Sequence, residues 1–197
     1  FAAYSKQLKP IQALMAKLGY MDNQEVFIVS GGERSIFDRS DIGLHIDIFW
    51  EKLDFCHVIR WAGRLEVDSP SIPLAELLLE KMQIVQINEK DIIDTIMLLR
   101  EHPIGENDQD AINAQLITQT LANDWGFWRT VTGNLTLLQE AVKRYGRLSE
   151  DDIRVINDRI QELQTRIETT PKSLRWKARA RIGEKVKWYK DVEELRR

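Results

Sequence analysis

Hydrophobic and polar positions follow two rhythms along the chain, and the change falls near residue 70. Ahead of it, Leu8, Ile11, Leu14, Met15 and Leu18 recur at three- and four-residue steps, which predicts a helix that Gly19 ends. Gln24 to Ser30 is rich in β-branched and aromatic residues and predicts a strand. Gly31-Gly32 predicts a turn, with Arg34 to Phe37 returning as the second arm of a hairpin. After a polar stretch from Asp38 to Gly43, Leu44 to Trp50 alternates strictly. Leu44, Ile46, Ile48 and Trp50 fall on one face, and His45, Asp47 and Phe49 on the other, as a strand requires. Glu51 to Asp54 reads as a turn or short helical link. His57 to Trp61 and Arg64 to Val67 read as two short strands around Ala62-Gly63. Residues 24–67 therefore predict a small, mainly antiparallel sheet preceded by a helix.

Beyond Ser69-Pro70-Ser71-Ile72-Pro73 the period is helical. Ser71 is the expected N-cap, with Pro73 inside the first turn. Leu74, Leu77, Leu78, Lys81, Met82 and Val85 share one stripe. Asn88 is the expected cap of a second helix carrying Ile92, Ile93, Ile96, Met97 and Leu99, with Asp91 and Asp94 about one turn apart. His102-Pro103 ends it, and the polar link from Gly105 to Asp110 marks a lobe boundary. The expected lobes are residues 1–102 and 103–197. In the second, helices are expected over Ala111 to Asn123, from the Trp125-Gly126-Phe127-Trp128 corner to about Gly146, and from Ser149 with the capping-box pattern Ser149-Glu150-Asp151-Asp152. Pro171 breaks that run, and a last segment spans Ser173 to Leu195. The fold class is α+β: a small mixed or antiparallel sheet with flanking helices, then a helical lobe.

Composition narrows the classes. Charged residues at 30% and hydrophobic ones at 43% are ordinary for a globular chain. The single cysteine, Cys56, forms no internal disulfide, which fits a reducing cytoplasm. No apolar run approaches the roughly 20 residues that span a bilayer. A net charge of −3 makes the whole chain a poor match for nucleic acid. Locally the balance reverses: Lys172 to Lys190 holds eight cations against Glu184, with Trp176, Trp188 and Tyr189 interleaved. Such a stripe either holds a phosphate backbone, with RNA as the partner, or is a solvated helix face whose cations pair with acids elsewhere.

Two residues break their surroundings. Asp47 lies mid-strand between isoleucines, where its charge needs water, a hydrogen bond, a cation or a metal. It is either a carboxylate on a solvated sheet face or a metal-binding or basic group in a cleft. Lys81 lies on an apolar stripe, where its head either snorkels to water or serves an anion. Nucleophilic triads, cysteine–histidine zinc spacings, Walker loops and dinucleotide fingerprints are absent from the sequence.

The run from Ser71 to Val85, followed by Asn88-Glu89-Lys90-Asp91-Ile92-Ile93-Asp94, resembles the helix pair of nucleotidyltransferase-like proteins, including the abortive-infection type IV toxin group. His45-Ile46-Asp47-Ile48-Phe49 resembles the strand that precedes it there. Asp124 to Thr130 and Pro171 to Trp176 resemble uncharacterised bacterial relatives of that group. The resemblance implies transfer of a nucleotidyl group from a nucleoside triphosphate to an acceptor. It implies magnesium held by an Asp-x-Asp pair and by a third carboxylate, here Asp47. Lys81 would meet the triphosphate, and Lys90, Asp91 and Asp94 would shape the cleft or tie the helix pair together. The Asp-x-Asp pair belongs before the helix at Leu8, and the chain begins at Phe1, where that strand should be ending. The expectation is that the pair lies upstream or is absent, and that the chain from Phe1 folds without catalysing.

Overall fold

The structure is a computed structural model that describes residues 1–192 of the 197. It is α+β, and the chain divides into two compact units. The sheet unit comprises residues 1–54 and 58–72, and the helical unit comprises residues 55–57 and those from 73 on. Residues 73–102, expected with the sheet lobe, cluster with the helical unit.

In the sheet unit, β1 (Ala2–Ala3), β4 (Leu44–Trp50), β3 (Arg34–Arg39) and β2 (Met21–Asp22) lie side by side in that order. β1 runs parallel to β4, and the other pairings are antiparallel, so the sheet is mixed. A chain that returns parallel needs a crossover, and α1 (Leu8–Lys17) lies between β1 and β2. Its Leu8, Ile11 and Met15 pack on a cluster of Ala3, Phe37, Ile48 and Trp50. The alternation of β4 holds: Ile46, Ile48 and Trp50 turn to this core. The indole of Trp50 is satisfied there by donating to Ser35 Oγ at 2.9 Å. Gly19 adopts φ 84° just past α1, as a helix stop in the left-handed region does.

The strand expected over Gln24 to Ser30 is instead α2 (Gln24–Val29). Asn23 caps it by accepting from the Val26 amide, and Glu25 lies in its first turn. Phe27 packs on the core, while Ile28 and Val29 remain exposed. The run was apolar without being buried, so composition misled where the cap decided. Gly31-Gly32 does turn the chain, but from helix to strand, and β3 pairs with β4 and β2 rather than with the segment from Gln24 to Ser30. β5 (Lys52–Asp54) and β6 (Val58–Arg60) form a separate antiparallel pair where a turn and a longer strand were expected. The stretch from Arg64 to Val67 is turn.

The helical unit contains α3 (Leu74–Met82), α4 (Glu89–Glu101), α5 (Ala114–Asn123), α6 (Trp125–Arg144), α7 (Glu150–Thr169) and α8 (Leu174–Ile182). Two-residue strands β7 (Ile104–Gly105) and β8 (Ile112–Asn113) pair in parallel on either side of the expected polar link, so the helix expected from Ala111 begins only at Ala114. Leu78, Met82, Ile96, Leu99, Ile117, Leu121, Leu135, Leu138, Ile156, Ile160 and Leu163 are fully buried, matching the helical stripes. Asn88 and Ser149 cap as expected, and Ser149 forms the reciprocal box with Asp152. Ser71 does not cap α3: Pro73 holds the N-cap position with extended backbone and no side-chain bond. The last expected segment runs on to Leu195, which lies outside the described residues. Among the described residues no helix is long and apolar enough to cross a membrane.

Candidate functional site

Asp47 sits in the middle of β4, an inner strand flanked by β1 and β3. Its register partner is Ile36, so Arg34, two residues along β3, projects on the same face and reaches it diagonally. Arg34 donates to Asp47 Oδ1 from Nε at 3.0 Å and Nη2 at 2.7 Å. The guanidinium also lies 5.3 Å from the centroid of the Phe49 ring. His45 Nε2 is 3.8 Å from Asp47 Oδ2. The side chains of Arg34 and Asp47 are 22% and 24% exposed, so the pair is neither freely solvated nor shut away. The core-facing and charged faces of β4 are thus separated by the two-residue period. The charge that the sequence left in need of a partner has Arg34, a residue no spacing rule singled out.

The amino group of Phe1 donates to the Asp47 carbonyl at 2.6 Å, and Ala2 is level with Phe49. The first residues of the chain therefore run along the strand that carries Asp47. Magnesium demands several oxygen ligands in near-octahedral arrangement. Asp47 supplies one carboxylate, with Oδ1 engaged by a cation that would repel the metal. Among the described residues no group of three or more His, Cys, Asp or Glu is placed to hold a metal ion. The residues around Asp47 do not by themselves fit magnesium.

In the helical unit, Lys81 Nζ from α3 meets Asp94 Oδ2 at 2.8 Å and Asp91 Oδ1 at 3.1 Å on α4. Asp91 also accepts from the amide nitrogen of the Asn88 side chain at 2.9 Å, while its backbone N–H is held by the Asn88 cap. Burial acts to lower the Lys81 ammonium, but the hydrogen bonds to Asp94 and Asp91 outweigh it and leave its pKa raised. The lysine of the apolar stripe is thus a clasp between α3 and α4. Lys90, in the first turn of α4, is exposed and has no partner among the described residues.

A second centre in this unit was not legible from spacing. His57 stacks on Phe127 with centroids 4.8 Å apart and planes 8° from parallel. Its Nε2 is 2.8 Å from Thr130 Oγ1, and that oxygen accepts from Trp188 Nε1 at 3.1 Å. Burial lowers the pKa of His57 to about 4, against a weaker opposing pull from Asp124.

Around it the indoles gather. Trp125 meets Trp128 and Trp188, and Trp128 meets Trp176 edge to face at 5.1 Å. Arg179 stacks 4.7 Å from Trp125, while Lys172 and Arg129 approach Trp176 and Trp188. A cavity of about 150 Å³ opens here, lined by Asn123, Asp124, Trp125, Gly126, Arg175, Trp176, Arg179 and Trp188. Gly126 is required: a Cβ there would meet the Trp188 carbonyl oxygen at 2.6 Å. The interleaved tryptophans and cations of the sequence thus converge with the Trp125 corner on one concavity.

Comparison of the chain with family models, with curated proteins and with solved structures returns no match.

Proposed function

We propose that the chain is a nucleotidyltransferase-fold protein whose sheet unit carries the third carboxylate, Asp47, of a nucleotidyl-transfer site. The acceptor is unassigned. The observation that carries this reading is the seat of Asp47 on an inner strand, beside a parallel β1 whose first residues lie against it. By the β1–β4 register, a strand residue ahead of Phe1 would come level with Asp47. An Asp-x-Asp pair on such a segment would converge with Asp47 on one side of the sheet. The mixed sheet, the helix α1 after β1 and the α3–α4 pair clasped by Lys81 are consistent with the same reading. In this reading Asp47 orients or deprotonates the acceptor, and Arg34 fixes the carboxylate's rotamer. Lys81, Asp91 and Asp94 hold the helix pair, with Lys90 the exposed cation nearest them in sequence.

A second reading has its own observation. Arg34 engages Asp47 through two nitrogens, as in a structural ion pair. The chain is then a catalytically inactive member that works by binding a partner. Transfer from α-labelled nucleoside triphosphates with magnesium separates the two. It compares a reading frame that includes residues ahead of Phe1 with its Asp47→Asn variant. The first reading expects label on the acceptor fraction, abolished by Asp47→Asn. Transfer that survives the substitution contradicts it, and a folded, inert protein supports the second.

A further inference from the structure

The cavity between the start of α6 and α8 belongs to neither role proposed for Asp47. Its walls are the indoles of Trp125, Trp176 and Trp188, and its cations are Arg175 and Arg179. At about 150 Å³ it lies below the roughly 300–1,000 Å³ that encloses a whole drug-sized ligand. It suits one planar ring entering from a larger molecule outside. Aromatic walls stack on a ring of any sequence, and cations at the rim meet an anion attached to it.

The cations decide what kind of anion. Several in the basic segment are committed. Arg179 donates to the carbonyls of Gly183 and Val186 at 2.6 and 2.7 Å. Lys172 is tied to carbonyls at the end of α7, including Thr170 at 2.9 Å. Lys187 pairs with Asp191. Arg175, Lys177, Arg181 and Lys185 are exposed and have no acidic partner among the described residues. Among the described residues these four cations are therefore not neutralised by neighbouring acids. Asp124, the acid lining the cavity, is spent as the cap of α6, accepting from the Phe127 amide at 3.0 Å. A ring-sized aromatic cavity lined by the unpaired Arg175, on a segment that carries further unpaired cations around α8, matches repeating rings on a polyanionic backbone.

We infer that the helical unit binds single-stranded nucleic acid, with one base in the cavity lined by Trp176 and Trp188 and the adjoining phosphates on Arg175 and its neighbouring cations. A strand is favoured over a free nucleotide because Lys177, Arg181 and Lys185 supply unpaired charge outside the cavity, around α8 and just past its end, which a single phosphate held at Arg175 would not meet. A duplex is disfavoured because its bases are stacked and cannot enter.

The test uses the full chain with fluorescein-labelled single-stranded RNA and DNA oligonucleotides, the matching duplex, and adenosine monophosphate. Binding is read by anisotropy and by tryptophan quenching. Single strands should bind, with tryptophan quenching, and log K should fall with log salt at a slope of about −2 to −3, for three or four phosphate contacts. Arg175→Glu, at an exposed residue without a partner, should weaken binding about tenfold and flatten the slope, whereas Lys17→Glu on α1 should do neither. Trp176→Leu should lose about tenfold in affinity and most of the quenching. Unchanged affinity in a folded Arg175→Glu protein overturns the inference. So does equal affinity for the duplex, or binding of the monophosphate as tight as that of the strand, or no binding of single strands at low salt.

Discussion

Lowering the pH from 7 to 4 should destabilise the helical unit through His57. Its ring is 5% exposed, stacked on Phe127, and held near neutrality by burial, with a pKa of about 4 against an ordinary 6.5. Above 6.5 the ring is neutral in both folded and unfolded chains and adds no pH dependence. Between 6.5 and about 4 the unfolded chain takes up a proton that the folded chain refuses, so stability falls with pH across that window. The interval from 6.5 to about 4, at about 1.4 kcal/mol per pH unit, amounts to roughly 3 kcal/mol. Below about 4 both states carry the proton and the loss is complete. Urea unfolding at pH 7, 5.5 and 4.5, followed by tryptophan fluorescence, measures it. His57→Gln keeps a polar side chain but cannot titrate, so its stability should change less between pH 7 and 4.5 than that of the wild type. Parallel pH profiles for the two proteins would refute the reasoning, because the proton would then be binding elsewhere.

Lys81→Met should keep the stem on its apolar stripe and strand Asp91 and Asp94, costing about 1–3 kcal/mol, between the values for exposed and buried pairs. Adding Asp94→Asn should recover part of that in a double-mutant cycle, and full additivity would show that the clasp is not energetic. Because the Lys81 pKa is raised, its contribution should be intact at neutral pH and fade only as pH rises through that raised value. Asp152 is held at about 2 by Arg100 and by the Ser149 cap, so its contribution should be present above pH 3.8 and lost as pH falls through about 2, as an NMR carboxyl titration would show. Gly126→Ala would force a Cβ against the Trp188 carbonyl, and should displace the Trp188 segment with a change in tryptophan emission despite the better helix propensity of alanine.

What could be read in the sequence followed from local rules. The caps at Asn88 and Ser149, the stripes of α3 to α7 and the two-residue period of β4 each depend on neighbours within a turn or a strand. Gln24 to Val29 defeated this because Ile28 and Val29 were exposed and the Asn23 cap set the conformation. Pro73 displaced Ser71 for a related reason: its fixed φ suits the residue at the start of a helix, and no side-chain oxygen was needed. Asp47 stood out because an acid mid-strand must be compensated, but its partner Arg34 came through strand register, which pattern does not give. The basic, tryptophan-rich segment was visible, whereas its convergence with Gly126 and Trp125 depends on packing between α6 and the chain after α8.

The proposal that Asp47 is the third carboxylate of a nucleotidyl-transfer site can be tested at the metal. Manganese titration followed by two-dimensional NMR tests it most directly, since the paramagnetic ion broadens the amides nearest its site. In a frame that carries residues ahead of Phe1, broadening should come early at residues 45–49 and 34–36 and be lost in Asp47→Asn. Broadening centred elsewhere, or unchanged by Asp47→Asn, would contradict it.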